Sequence, residues 1–218
     1  MFHYIREQAP VVIGSVADKL NYSPSHLEQL LQTMQDRQIT TITFRDLAAY
    51  LDGQADLPDN PIILSFDDGY LNHYETVFPL LEQYQAKGVF FIITVKPGQD
   101  PAYANWEQLQ KIQAAGHELG SHSHTHPNLT SLNQDQLKAE IKQSQDILWH
   151  QTGTKPISFC YPAGRYNNEV INLIEEYYQF ARTTHTGTTF DPQTSFEIPA
   201  VRVMPGFETG QLLRLMNL

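Results

Sequence analysis

Cysteine is almost missing from this sequence: Cys160 is the only one in 218 residues. That excludes an intrachain disulfide framework and any zinc site built from several thiolates. Basic residues are also scarce, with 14 Lys and Arg against 24 Asp and Glu and a formal charge of −10. A surface of that sign repels phosphate backbones, and no Lys/Arg cluster offsets it, so nucleic acid is excluded as a partner. No apolar run approaches the roughly 18–20 residues that a membrane-spanning helix needs. The opening Met1-Phe2-His3-Tyr4-Ile5-Arg6 lacks the basic-then-apolar pattern of a signal peptide. It reads as the middle of a short strand, as though the chain were trimmed from something longer.

What is present is an alternation of short apolar runs and helical patterns. Ser23-Pro24 followed by Leu27, Leu30, Leu31 and Met34 predicts a capped amphipathic helix with proline in its first turn. Residues 39–43 read as a strand and 44–51 as a short helix. Residues 61–66 are apolar on both faces, as in a buried parallel sheet. Helices are expected over about 71–86, from Asn105, from Asn133 and over 168–178, with a last amphipathic segment over 209–216. Strands are expected at 89–94, 117–120, 157–161, 180–184 and 198–203. Six or seven β–α repeats with short connections point to a parallel α/β fold, and no glycine-rich dinucleotide turn is present. A closed or nearly closed (β/α) barrel, formed by one domain over residues 1–218, fits best.

In such folds reactive groups collect on loops after the carboxyl ends of strands, and three of those ends are unusual. Ser65-Phe66-Asp67-Asp68-Gly69-Tyr70 sets two adjacent carboxylates at the end of an apolar strand. They are costly there unless something neutralises them, and one could bind a cation while the other stays a free base. The plain alternative is an Asp-Gly turn with Asp67 capping a helix. Gly120-Ser121-His122-Ser123-His124-Thr125-His126-Pro127 carries three of the nine histidines within five residues. His122 and His126 are four apart, so one helical turn puts both imidazoles on one side. Two imidazoles and one carboxylate suit Zn²⁺ and leave a position open for water. Cys160-Tyr161-Pro162-Ala163-Gly164-Arg165-Tyr166-Asn167 follows another strand, and its proline and glycine fix a backbone path able to turn N–H groups toward an oxyanion.

Together these segments resemble the polysaccharide deacetylases of carbohydrate esterase family 4, the NodB homology domain. Ser65–Gly69 matches the family's Thr/Ser-Phe-Asp-Asp-Gly, and His122–His126 matches its His-Ser/Thr-x-x-His. The third motif, Arg-x-Pro-Tyr/Phe-Gly, is met only at Pro162 and Gly164, with Cys160 in place of the arginine and Ala163 in place of the aromatic residue. The order and spacing agree over about residues 60–205. The opening Phe2-His3-Tyr4 also looks like the Tyr-His-x segment that begins many exported members.

The resemblance implies a distorted (β/α) barrel with fewer than eight full repeats. It implies Asp67 as catalytic base, Asp68, His122 and His126 as ligands of zinc or another divalent metal such as cobalt or nickel, and the Ala163 N–H as oxyanion donor. The family's orienting arginine and its late histidine acid are missing from their usual places. His185, after the strand at 180–184, is the expected acid, with His124 a weaker option that strand alternation turns away. Tyr70, Tyr161, Pro162, Arg165 and Tyr166 are the expected substrate contacts, whereas Trp106 begins a helix and reads as core. The implied activity is removal of acetyl groups from an acetylated polysaccharide at the cell envelope or outside the cell, most simply as N-acetylglucosamine amides. The rivals are an O-acetyl xylan esterase, a carbohydrate-binding scaffold without activity, and a Cys160–His nucleophilic hydrolase.

Overall fold

The structure is a computed structural model and describes residues 1–7, 19–216 and 218. Five parallel strands form one curled sheet in chain order: β3 (Ser65–Phe66), β4 (Val89–Ile92), β5 (Glu118–Ser121), β6 (Ser158–Cys160) and β7 (Phe180–Arg182). All are buried on both faces, which is why their sequences run apolar without alternation. A separate parallel pair joins β1 (Tyr4–Ile5) to β2 (Asn21–Tyr22).

The sheet's two edges, β3 and β7, do not meet directly, and short segments span the gap. Phe2 bridges Phe66 in parallel, with Phe2 N–H donating to Ser65 O and Asp67 N–H to Phe2 O. Ile198 bridges Arg182 on the other edge, and Val203 N–H donates to Met1 O. The expected strand at 198–203 is therefore a run of backbone hydrogen bonds around a single bridge. The expected strand at 39–43 likewise shrinks to the bridge Thr41–Ile62. The result is the distorted barrel with incomplete repeats that the sequence implies.

The helices begin where short polar caps satisfy free backbone N–H groups. Ser23 caps α1 (Pro24–Asp36), Thr43 caps α2 (Phe44–Leu51), Asn105 caps α4 (Trp106–Ala114), Asn133 caps α5 (Gln134–Thr152) and Asn167 caps α6 (Asn168–Glu175). Each such cap is worth about 1 kcal/mol. The helix after β3 opens on a π-turn (His73–Val77), where Phe78 N–H reaches back to His73 O, before α3 (Phe78–Gln83). Pro79 has no N–H to give to the ladder, and the wider turn absorbs that break. A last helix, α7 (Thr209–Leu215), buries Leu212 and Leu213 against the main core, which also holds Leu27, Leu30, Leu31, Phe66 and Phe90. Among the described residues no helix is long and apolar enough to cross a membrane.

Candidate active site

Because the strands are parallel, their carboxyl ends share one rim, and the chain leaves β3, β5, β6 and β7 there. A cleft of about 510 Å³ opens on this rim, lined by His3, Asp67, Asp68, Tyr70, His122, His126, Tyr161 and Ala163 among others. The backbone around it is unusual. Of the seven non-glycine residues with positive φ among the described residues, four lie here: Asp68 (79°), Ser123 (64°), His126 (63°) and Ala163 (51°). Left-handed backbone at such residues costs of order 1–3 kcal/mol each and persists where surrounding contacts enforce it.

Those contacts can be traced for the histidine loop. Glu140 on α5 accepts from the backbone N–H groups of His124 (3.0 Å) and Thr125 (2.9 Å), and Ser123 Oγ accepts from His126 N–H (3.0 Å). His122 Nδ1 meets Cys160 O at 2.8 Å. A carbonyl can only accept, so Nδ1 carries the proton and the Nε2 lone pair faces the cleft. There His122 Nε2 lies 3.5 Å and His126 Nε2 3.9 Å from Asp68 Oδ1. Two donor atoms each about 2.1 Å from one tetrahedral ion stand about 3.4 Å apart. The Asp68–His122–His126 set thus fits a divalent cation in number, chemistry and spacing, all three donor atoms lying within 4.8 Å of one another. His124 turns away, with Nδ1 on Thr94 Oγ1 at 2.9 Å.

A second cluster, Asp67, His122 and Cys160, is equally tight, but it already holds a cation. Arg182 Nη2 donates to both Asp67 carboxylate oxygens at 2.5 Å and to Cys160 Sγ at 2.8 Å. Asp67 and Arg182 are 2% and 3% exposed, so the pair is dry. Burial pushes the Asp67 carboxyl up, but Arg182, with His3 and His122 adding to it, more than offsets that and holds it well below the usual carboxylate range. Asp67 is therefore an ionised carboxylate, fixed beside the cation-binding set and free of it. Burial raises the Cys160 thiol, which removes the thiolate that a nucleophilic hydrolase would require.

Arg182 is the residue of this site that the motifs concealed. Cys160 and Arg182 face each other in the β6–β7 register, so the guanidinium enters from the neighbouring strand over a side chain small enough to admit it. His3 is the second concealed residue. Its Nε2 stands 3.6 Å from Asp67 Oδ2, its Nδ1 is buried without a partner, and burial lowers its pKa. Two residues after the Asp-Asp-Gly turn hold it there: His73 Nε2 meets His3 O at 2.6 Å, and Asn72 Oδ1 accepts from Ile5 N–H at 3.2 Å.

His185 does not join them. It is exposed, and its Nδ1 meets the Tyr166 hydroxyl at 3.2 Å, while Thr184 faces the cleft instead. Alternation beyond β7 turns Arg182 and Thr184 inward and leaves His185 on the opposite side. Tyr166 accordingly packs on Tyr161 and bonds Glu197 and His185. Tyr161 reaches the cleft wall but is buried, its hydroxyl donating to Phe196 O. Pro162 is buried and Arg165 is exposed, and neither lines the cleft. Tyr70 does line it, with one ring face covered by Tyr4 at 4.1 Å. Burial, with Asp68 and Tyr4 close by, raises its phenol so that it stays protonated. Trp106 packs against the main core, as its place in α4 suggested.

A curled parallel sheet with this cleft defines a NodB-like α/β barrel. The polysaccharide deacetylase family model matches residues 54–179, and the chain belongs to that family. Among curated relatives it is 28% identical to Bacillus subtilis YxkH over 196 residues, covering 88% of this chain and 69% of YxkH. It is 30% identical over 133 residues to the Listeria monocytogenes peptidoglycan-N-acetylglucosamine deacetylase PgdA, covering 57% of this chain but 28% of that protein. Of solved structures, the Streptococcus pyogenes deacetylase PplD in complex with acetate superposes with a TM-score of 0.91 at 24% identity, covering 99% of this chain and 95% of PplD. At that identity the likeness is one of fold.

Proposed function

We propose that this chain is a metal-dependent deacetylase that hydrolyses the acetamide of N-acetylglucosamine units in a cell-envelope or extracellular polysaccharide. The observation that carries the reading is the division of labour between neighbouring carboxylates: Asp68 faces two imidazoles at ion-sharing distance, while Asp67 is locked as a carboxylate by Arg182. A scaffold that only bound metal or sugar would have no use for the second, buried carboxylate. The name of the PgdA relative supports the amide over the ester.

Asp68, His122 and His126 would hold zinc or a similar divalent ion. Bound there, such an ion supplies the positive charge that acidifies a water molecule and polarises the acetyl carbonyl. Asp67 takes the proton of the attacking water, and Arg182 keeps that carboxylate ionised and aimed. Ala163 lines the cleft, and its backbone N–H is the donor this reading assigns to the developing oxyanion. As the C–N bond breaks, His3 gives a proton to the departing amine, so that amide and water become acetate and free amine. Burial favours neutral His3, so the proton that Asp67 takes from the water passes first to His3, 3.6 Å away, and it is this proton that His3 then delivers to the amine.

Release of acetate from chitooligosaccharides and from acetylated xylan, with and without chelator, tests this reading. The expected result is chelator-sensitive release from the chitooligosaccharide. Asp67→Asn should abolish turnover while one equivalent of zinc stays bound. Chelator-insensitive turnover would overturn the metal reading, and zinc lost in Asp67→Asn would mean that the two aspartates exchange roles.

A further inference from the structure

From residue 122 to 126 the histidine loop forms neither helix nor strand, so each of its backbone N–H groups needs a partner of its own. His122 N–H reaches the sheet at Ile92 O (2.9 Å). Ser123 N–H turns back on Ser121 Oγ (3.2 Å), and His126 N–H on Ser123 Oγ (3.0 Å). The two N–H groups between them, from His124 and Thr125, both go to Oε2 of Glu140, while Glu140 Oε1 accepts from the Thr125 hydroxyl at 2.6 Å. Thr125, the residue before His126, is thus held by Glu140 at both its N–H and its hydroxyl. Among the described residues no Lys or Arg pairs with this half-buried carboxylate, and Lys142, two residues further along α5, pairs with Asp146. One helical turn beyond Glu140, Ser144 Oγ accepts from Ser121 Oγ at 2.8 Å, so one face of α5 backs the loop at two points. The segment that Glu140 grips lies between two non-glycine residues in left-handed backbone, Ser123 and His126, a conformation that relaxes unless neighbouring contacts enforce it.

We infer that Glu140 is the positioning residue of the Asp68–His122–His126 set, holding the peptide units between the two histidines so that both imidazoles converge on Asp68. This rests on the cation site of the deacetylase reading and adds the residue that sets its affinity. Without the grip, the loop spreads over other backbone states, and the apparent affinity falls in proportion to the fraction of chains that still present both imidazoles. The role is one of reach and shape. A glutamine side chain has the same reach: its carbonyl oxygen can accept from the two N–H groups, and its NH₂ can donate to the Thr125 hydroxyl, which then accepts. An aspartate keeps the charge but stops one methylene short of the loop. Shape and charge therefore make opposite forecasts for these two substitutions.

The experiment measures zinc affinity by competition with a chromophoric chelator for wild type, Glu140→Ala, Glu140→Asp and Glu140→Gln. Visible absorption of the cobalt-loaded proteins reports the number and arrangement of ligands, and urea unfolding of the metal-free proteins reports stability. The expected result is that Glu140→Ala and Glu140→Asp bind zinc about 10- to 100-fold more weakly than wild type, with an altered cobalt spectrum as His126 leaves the ion. Glu140→Gln should recover most of the affinity and the wild-type spectrum. If Glu140→Asp binds as wild type does while Glu140→Gln is weak, the charge of the carboxylate governs the site and the inference falls. Unchanged zinc affinity in Glu140→Ala also overturns it, even where the metal-free variant unfolds more easily, because Glu140 would then serve the fold alone. Should Glu140→Ala fail to fold, the Asp and Gln variants still decide the matter between them. None of these readouts needs turnover: the expected order of affinities in a protein that releases no acetate upholds the inference and sinks the reaction, whereas a wild type that binds no zinc overturns both.

Discussion

Removing Arg182 is the sharpest test of how the base is held. Arg182→Met keeps the length of the side chain and deletes the guanidinium, leaving Asp67, 2% exposed, without its counter-charge. Breaking a buried ion pair on one side costs about 3–5 kcal/mol. The carboxyl, released from Arg182 but still desolvated, moves from well below its usual range to above it. Turnover near neutral pH should then fall by about 10²–10⁴, the range for losing a general base, and the acid limb of kcat/KM should shift upward. Bound zinc should remain at one equivalent. Since Cys160 and Arg182 are register partners, Cys160→Arg combined with Arg182→Cys returns a guanidinium to the same volume from the strand where the family motif carries it. The double variant should recover at least about tenfold over the poorer single, a coupling within the usual 0.5–3 kcal/mol for contacting residues. Steady-state kinetics on a chitooligosaccharide with metal analysis decides it. If Arg182→Met keeps full activity and an unshifted pH profile, Asp67 does not depend on this arginine.

The remaining predictions address the other parts of the site. His3→Gln should lower kcat by about 10²–10⁴ with zinc still bound, whereas His185→Gln should change it by less than about threefold, and a steady-state comparison of the two tells which histidine serves the cleft. His126→Ala should weaken zinc binding by at least tenfold, read by competition with a chelator. Gly164 has φ 68°, and a Cβ there would strike Thr184, so Gly164→Ala should cost about 3 kcal/mol in urea unfolding and reduce turnover through the adjacent Ala163. His73 is wholly buried, and burial lowers its pKa from 6.5 to about 4. The unfolded chain therefore binds a proton between those values that the folded chain refuses, so stability is full above pH 6.5 and declines as pH falls. Between pH 7 and 5 this removes about 2 kcal/mol, and His73→Gln should show correspondingly less loss than wild type over that interval.

Much of the fold was legible because buried parallel strands and capped amphipathic helices leave local marks. The apolar runs near 89–94, 117–120 and 157–161 each hold a strand, the run at 61–66 holds one only at Ser65–Phe66, and Ser23, Asn105 and Asn133 cap helices. The candidate cation-binding set was equally local, since Asp68 sits on one turn and His122 and His126 on another. The segments at 39–43 and 198–203 were overestimated because β-branched composition marks an extended path, while pairing depends on a neighbour close enough along its length. The position of His185 failed for a similar reason: the end of a strand is a matter of one residue, and one residue decides which face a side chain occupies.

Arg182 and His3 were hidden by a different mechanism. Inward-pointing groups of one barrel layer come from different strands, so a given point in the cleft can be served from more than one place in the chain. Cys160 read alone looks like a lost arginine, and Arg182 read alone looks like a charge inside an apolar strand that has no reason to be there. Each explains the other only once the β6–β7 register sets them side by side. His3 lies 64 residues before Asp67, on a segment whose backbone bonds run to Ser65 and Asp67, and no period or spacing in the sequence records that contact. The two departures from the family pattern are therefore better described as relocations than as losses. The guanidinium and the second imidazole still flank Asp67, and under the proposed reading it is this flanking geometry, rather than the order along the chain, that deacetylation requires.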